Sequence, residues 1–424
     1  MSSLDLLSNM NRVQTPFIVA EIGGVSFGVY NSKNKNSYYS NEYYNKAITY
    51  PNFMESLSIN KINGTVNTYT LRMVYAIRNG DDPNLLEKVF SKAKESRTIY
   101  LSYGDLSVPN YIYKREEALI TDIKSDIDFS GSKIHYIIQC TSKGLLTASN
   151  KYSFPKRVAK PSDVIRELLY NNLYGLSDVF YGMKDKEKVL QKHLIPSDDV
   201  VTTIEAKLNV NILDYLEYLV NCMSPSSQQL KSILNSALYK ICVIDDINDE
   251  LGGPYFKIVR VSNNIQKDSL NVYTIDVGYP DKNIVLDFSI SDDQVYSIFY
   301  DYSKKLDMPQ YVQRIDNSGN IVSEYSPTLS NTRGLMKTTA VDKNWWTNLV
   351  NYPIRASITI KGLLRPAILM SYIYIDARFF GNQHYASGYY LITKQIDDIS
   401  KSGYKTTLSL LKVGGEFIGN QSNN

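Results

Sequence analysis

The strongest constraint on this chain is that it contains part of itself twice. Residues 119–133 and 391–405, 272 positions apart, are identical at eight of fifteen places without a gap. The matches are Leu119/Leu391, Ile120/Ile392, Thr121/Thr393, Asp126/Asp398, Ile127/Ile399, Ser130/Ser402, Gly131/Gly403 and Lys133/Lys405. Average composition gives about one match in fifteen, so the segment is a duplicated unit and sets the architecture ahead of any motif. Upstream, an arginine, a glycine seven residues on, a leucine two further and a proline recur as Arg97, Gly104, Leu106, Pro109 and as Arg355, Gly362, Leu364, Pro366. The offset is 258 for the arginine, glycine and leucine and 257 for the proline, so a loop between the two blocks has gained or lost residues. Each copy is expected to run hairpin, helix and three strands, with Arg97 and Arg355 equivalent and Gly131 and Gly403 in equivalent turns.

Local patterns agree with a β-rich fold. Tyrosine supplies 35 side chains, against 13 Phe and 2 Trp, a bias that suits strands. Residues 17–30 predict two strands joined at Gly23-Gly24, and a second hairpin turns at Asn63-Gly64. Strands are expected over 98–103, ending at the Gly104-Asp105 turn, and over 118–124 and 133–140. Helices are expected after Asp82-Pro83, after Ser162 or Asp163 and after Asn211, each with apolar residues on one stripe, and a short helix is expected over 342–351. The fold class is mainly β with some α. Two similar small β-barrel or sandwich domains, 1–145 and 265–424, flank an α+β region at 146–264 that partly packs on the first domain. A loop near 300–340 is inserted in the second.

Composition excludes several function classes. With 46 basic and 43 acidic residues the net charge is +3, and no basic stripe interleaved with aromatics marks a nucleic-acid surface. No secretory signal or apolar run long enough to span a membrane is expected. Cys140, Cys222 and Cys242 form neither a disulfide framework nor a metal knuckle, so free thiols in a reducing compartment are expected. His135, His193 and His384 lack any ligand spacing, and the acidic run 245–253 lacks that of a calcium loop. Asp397 and Asp398, as neighbours on a strand, point to opposite sides and cannot flank one sugar bond; Asp398 recurs as Asp126, which suits a turn. Trp345-Trp346 reads as an anchor onto a barrel or subunit seam, or as a sugar platform. No catalytic, cofactor or metal residues are expected.

From Trp345 onward the residues carry a specific resemblance. Trp345-Trp346-Thr347, Pro353-Ile354-Arg355, the run 358–366 ending in Arg365-Pro366, Gly381, His384, Ser387-Gly388-Tyr389-Tyr390 and the run 403–410 together resemble the C-terminal end of tail hub proteins of phages with baseplates. The resemblance implies two tail-tube-like domains per chain and a homotrimer forming a pseudohexameric ring that adapts the six-fold tail tube to a three-fold spike. It also implies a virion protein, present in the host cytoplasm during assembly and not an enzyme. Its partners would be copies of itself, the tail tube protein, a central spike or cell-puncturing protein, other baseplate proteins and a tape measure protein, with DNA only in transit. Arg97, Gly104, Gly131, Trp345, Trp346, Arg355, Gly362, Pro366, Gly388 and Gly403 are the candidate turn or interface residues. The alternatives are a tail-associated carbohydrate-binding protein using Trp345-Trp346, and a wall-degrading enzyme.

Overall fold

Alternating apolar side chains build most of the molecule from strands. The computed structural model describes residues 15–28, 48–50, 54–62, 66–77, 82, 84, 87–91, 97–105, 113–142, 150–170, 195–196, 199–223, 238–244, 255–261, 271–276, 285–292, 311–315, 321–325, 354–362 and 369–414. The first part carries β1 (Pro16–Ile22), β2 (Val25–Phe27), β3 (Ile48–Tyr50), β4 (Met54–Ile62) and β5 (Thr68–Ala76). A helical turn at 87–91 follows, then β6 (Thr98–Asp105), β7 (Tyr113–Asp128) and β8 (Lys133–Ser142). The Gly23-Gly24 turn forms as expected, with φ of 57° and 76° that glycine adopts without strain. The Asn63-Gly64 turn and the 342–351 helix lie outside the described residues.

The middle region contains β9 (Lys151–Phe154), β10 (Arg157–Ala159), α1 (Pro161–Tyr170), β11 (Thr202–Ile204), β12 (Lys207–Asn211), α2 (Ile212–Cys222), β13 (Leu238–Ile244) and β14 (Tyr255–Val261). Asn211 caps α2 as its sequence predicts, accepting from the Asp214 backbone N–H at 2.8 Å. The stripe below that cap buries Ile212, Tyr215, Leu216, Leu219 and Val220, where each large aliphatic side chain contributes about 1.5–3 kcal/mol. These side chains share one core cluster with Phe154, Val164, Ile165, Leu168, Ile358, Ile375, Tyr390 and Leu410, so this region packs into the second repeat's core. Contact with the first repeat is seen where Asn67 Nδ2 donates to the Val243 carbonyl at 3.4 Å.

The last part adds β15 (Asn271–Asp276), β16 (Val285–Asp292), β17 (Tyr311–Ile315), β18 (Ile321–Tyr325), β19 (Ile354–Lys361), β20 (Tyr372–Phe379), β21 (Asn382–Gln383), β22 (Gly388–Ser400) and β23 (Gly403–Gly414). Among the described residues one large sheet runs β16-β19-β23-β22-β4-β5-β8-β7-β6-β1-β2-β3, with β20 also on β22 and β15 on β20. The protein is therefore mainly β, and the strands of both repeats belong to one continuous sheet.

The duplication is visible in the pairing itself. In β7 the ladder to β8 skips Thr121, and in β22 the ladder to β23 skips Thr393, its match at offset 272. At this bulge Thr121 Oγ1 donates to the Gln139 carbonyl (3.0 Å), and Thr393 Oγ1 to the Ser409 carbonyl (3.1 Å). β6 pairs with the first half of β7, Thr98 opposite Leu119; β20 pairs with the first half of β22, Tyr372 opposite Leu391. Beside them Ile120 N donates to the Arg97 carbonyl (2.7 Å) and Ile392 N to the Ser371 carbonyl (3.0 Å).

This pairing corrects the upstream block at offset 258. The counterpart of β6 is β20, while β19, which carries Arg355, lies on β23 as β5 lies on β8. Gly104 is no turn residue: it sits within β6, opposite Phe17 and Tyr113. The hairpin turns also differ by two residues. Asp128 faces Lys133 across a four-residue turn that contains Gly131, whereas Ser400 faces Gly403 across Lys401-Ser402. A shared Ser-Gly-x-Lys sequence thus enters the two ladders in different registers, so Gly131 and Gly403 are not equivalent.

Candidate assembly surface

The two repeats meet at β4. Its residues Ser56–Ile62 pair antiparallel with Ser400–Lys394 of β22, beside the stretch of β22 that β20 occupies. Within this seam Asp397 and Asp398 face opposite ways, as strand geometry requires: Asp397 is buried and Asp398 exposed. Asp398 is a strand residue rather than a turn residue, and its Oδ1 accepts from Ser58 Oγ across the seam at 2.6 Å.

Two buried carboxylates lie beneath the seam. Glu116 of β7 pairs with Lys61 Nζ of β4 and accepts from Tyr69 OH and Tyr103 OH, each at 2.7 Å. Asp397 accepts from Thr406 Oγ1 (2.6 Å), Tyr404 OH (3.1 Å) and Gln395 Nε2. The Tyr103 and Tyr404 rings meet edge to face, 6.3 Å apart, so the first repeat's network touches the second's. A carboxylate held by several donors is a locked structural element. Among the described residues no group of three or more His, Cys, Asp or Glu could hold a metal ion, and no helix is long and apolar enough to cross a membrane.

Burial pushes the Tyr103 and Tyr404 phenols well above their ordinary value, and the neighbouring Glu116 and Asp397 charges act in the same direction. The unfolded chain releases these protons near pH 10 (about), while the folded chain keeps them. Their contribution to stability is therefore fully present below that pH and is lost as pH rises beyond it. Melting temperature is expected to fall steeply above about pH 10, with unfolding adding phenolate absorbance beyond that of the exposed tyrosines such as Tyr385; a flat melting temperature through this range contradicts the assignment.

The sequence-predicted residues divide into several groups. Trp345, Trp346 and Pro366 lie outside the described residues. Arg97 stands before β6 at φ 52°, and Arg355 lies in β19 opposite Leu411 and Ser291. Gly388 opens β22 at φ 149° and Gly403 opens β23 at φ 146°. Gly362 follows β19, and a Cβ there would stand 2.2 Å from Tyr404 Cγ. At Gly131 the nearest atom to a Cβ is the movable Asp128 Oδ2. Valine at Gly362 is therefore expected to displace Tyr404 from Asp397 and lower the melting temperature by several degrees, whereas valine at Gly131 changes it far less; equal effects would contradict the geometry.

Exposed apolar side chains, which sequence reading passed over, cluster at hairpin tips. Phe129 is 88% exposed beside Ile127 at 50%, and Phe379, Phe380 and Tyr385 surround the β20–β21 turn. His384 sits in that second tip, 5.0 Å from the Phe379 ring and 4.2 Å from Tyr385. Cys140, Cys222 and Cys242 are free and buried; burial pushes the Cys140 and Cys242 thiols up to about 12.

No family model matches the chain, and no curated protein matches it. Among solved structures it is similar to the 43 kDa tail protein of prophage MuSo2 from Shewanella oneidensis, at 10% identity and a TM-score of 0.47, over 94% of this chain and 97% of that one. It is similar to the tail protein from Neisseria meningitidis MC58, at 9% identity and a TM-score of 0.45, over 94% and 96%. A third is the E. coli c3393 protein, a component of the type VI secretion system with structural similarity to the T4 bacteriophage tail proteins gp27 and gp5 (9% identity, TM-score 0.42, 86% and 74% covered). With TM-scores below 0.5, the functional reading rests on the chain's own residues and pairing.

Proposed function

We propose that this chain is a non-enzymatic structural protein of a phage tail, the hub of its baseplate. Three copies, each carrying two near-equivalent β units, close a pseudohexameric ring that meets a six-fold tail tube on one face and a three-fold spike on the other. The genome passes through its centre. The chain sits in the virion tail after assembly in the host cytoplasm, with the tail tube protein, the spike, other baseplate proteins and a tape measure protein as partners. Domains at 1–145, 146–264 and 265–424 belong to the same proposal.

One observation carries this reading: two copies of the same bulged hairpin are joined edge to edge inside one polypeptide through β4 and β22. Joining like units by strand pairing is how sheets continue from subunit to subunit, and head-to-tail joints give a ring when the rotation closes and a filament when it does not. The C-terminal residue pattern supplies the class of ring. Trp345-Trp346, on which the glycan-binding alternative rests, lie outside the described residues. Native mass spectrometry with cryo-electron microscopy of the purified protein tests the proposal. A trimer with six similar lobes around a channel supports it, and a monomer or a two-fold assembly refutes it.

A further inference from the structure

The internal seam specifies how the next chain attaches. β16 is the counterpart of β4, because β16 pairs with β19 as β4 pairs with β5, while β19 and β5 lie on the matching strands β23 and β8. Carrying the ladder registers across aligns Leu57-Ser58-Ile59 with Phe288-Ser289-Ile290. The outer edge of β4 rests on the second half of β22. Among the described residues no strand rests on the outer edge of β16, and none rests on the second half of β7, the counterpart of that part of β22. Among the described residues each chain thus has one filled seam and the two halves of an unfilled one.

Resting on the ring reading, we infer that β16 of one chain pairs antiparallel with Ile123–Asp128 of β7 in a second copy. In the register of the internal seam Phe288 stands opposite Ile127, Ser289 opposite Asp126, Ile290 opposite Ser125 and Ser291 opposite Lys124. Two features of the chain fit this occupant. The internal seam holds a Ser58 to Asp398 hydrogen bond, and the counterparts of its two members are again a serine and an aspartate, Ser289 and Asp126. Ile399, facing Leu57, is 1% exposed in the filled seam, whereas its counterpart Ile127 is 50% exposed. A second copy covers Ile127 with Phe288, as Leu57 covers Ile399. The like-charged pair Asp128 and Asp287 falls at the end of the ladder, where Lys133 faces Asp128.

Cysteines at facing positions test the register, since paired strands bring Cα atoms within disulfide reach. The full-length Asp126→Cys/Ser289→Cys double variant, mildly oxidised, is expected to give a covalent ladder ending at the ring size on non-reducing gels. Neither single variant should do so, and the out-of-register Ser125→Cys/Ser289→Cys pair should link less. Oligomers seen by native mass spectrometry without the 126–289 link overturn this seam and leave the ring reading standing. A chain that stays monomeric overturns both.

Discussion

Replacing Lys61 by methionine is expected to cost about 3–5 kcal/mol, the range for removing one member of a buried ion pair. Lys61 and Glu116 have side chains only 7% and 0% exposed. Methionine matches the lysine stem in volume but not its charge, so Glu116 would face Tyr69 and Tyr103 without this cation. The cost arises from a low-dielectric interior, where an uncompensated carboxylate is far more expensive than at the surface. Because Lys61 lies on β4 and Glu116 on β7, the loss loosens the core directly beneath the internal seam. Adding Glu116→Gln to Lys61→Met should recover much of the stability, since the neutral amide needs no counter-charge. Urea unfolding midpoints of the three proteins measure this; a Lys61→Met midpoint equal to wild type would show the pair to be energetically idle.

Ile127→Asp separates folding from assembly. Ile127 is half exposed within the chain, so the substitution should move the stability of the isolated chain by no more than about 0.5 kcal/mol, as for other surface positions. In the inferred seam the same residue would lie under Phe288 of the neighbour, where a carboxylate would lose apolar contact and meet a dry surface. Size-exclusion chromatography with light scattering is expected to show a folded monomer in place of the oligomer, with an unchanged circular dichroism spectrum. Ile127→Val, which keeps an apolar branched side chain, should still assemble. An Ile127→Asp protein that assembles normally would remove this strand from the interface.

Much of the local structure was legible in the residues. The Gly23-Gly24 pair announced the β1–β2 turn, Asn211 announced its helix, and strand-type residue patterns marked β1, β2 and β4–β8, because these signals act between neighbours in sequence. The eight-of-fifteen match found the duplicated hairpin for the same reason. The choice of partner strands was not legible. Arg97 and Arg355 stand in similar spacing patterns, yet one precedes a strand that pairs with β7 and the other lies in a strand that pairs with β23. Spacing along one strand does not encode which edge it joins. Nor did the run Arg115-Glu116-Glu117 disclose that Glu116 turns inward, since nothing local distinguishes a buried glutamate from its half-buried neighbour until Lys61 arrives from another strand. The register difference at Gly131 and Gly403 was hidden by the very identity that revealed the duplication.

Fusing two like units in one gene frees them from remaining identical, and the hairpin turns record that freedom. The first copy spends four residues rounding its tip and lifts Phe129 into solvent; the second rounds the same corner with Lys401 and Ser402. Around a closed ring the rim would then alternate a tall greasy prong with a short polar one. In the ring proposed above, a crown whose points differ in this odd-even fashion would offer a threefold partner three matched footholds, while the flatter wall beneath would still repeat six times.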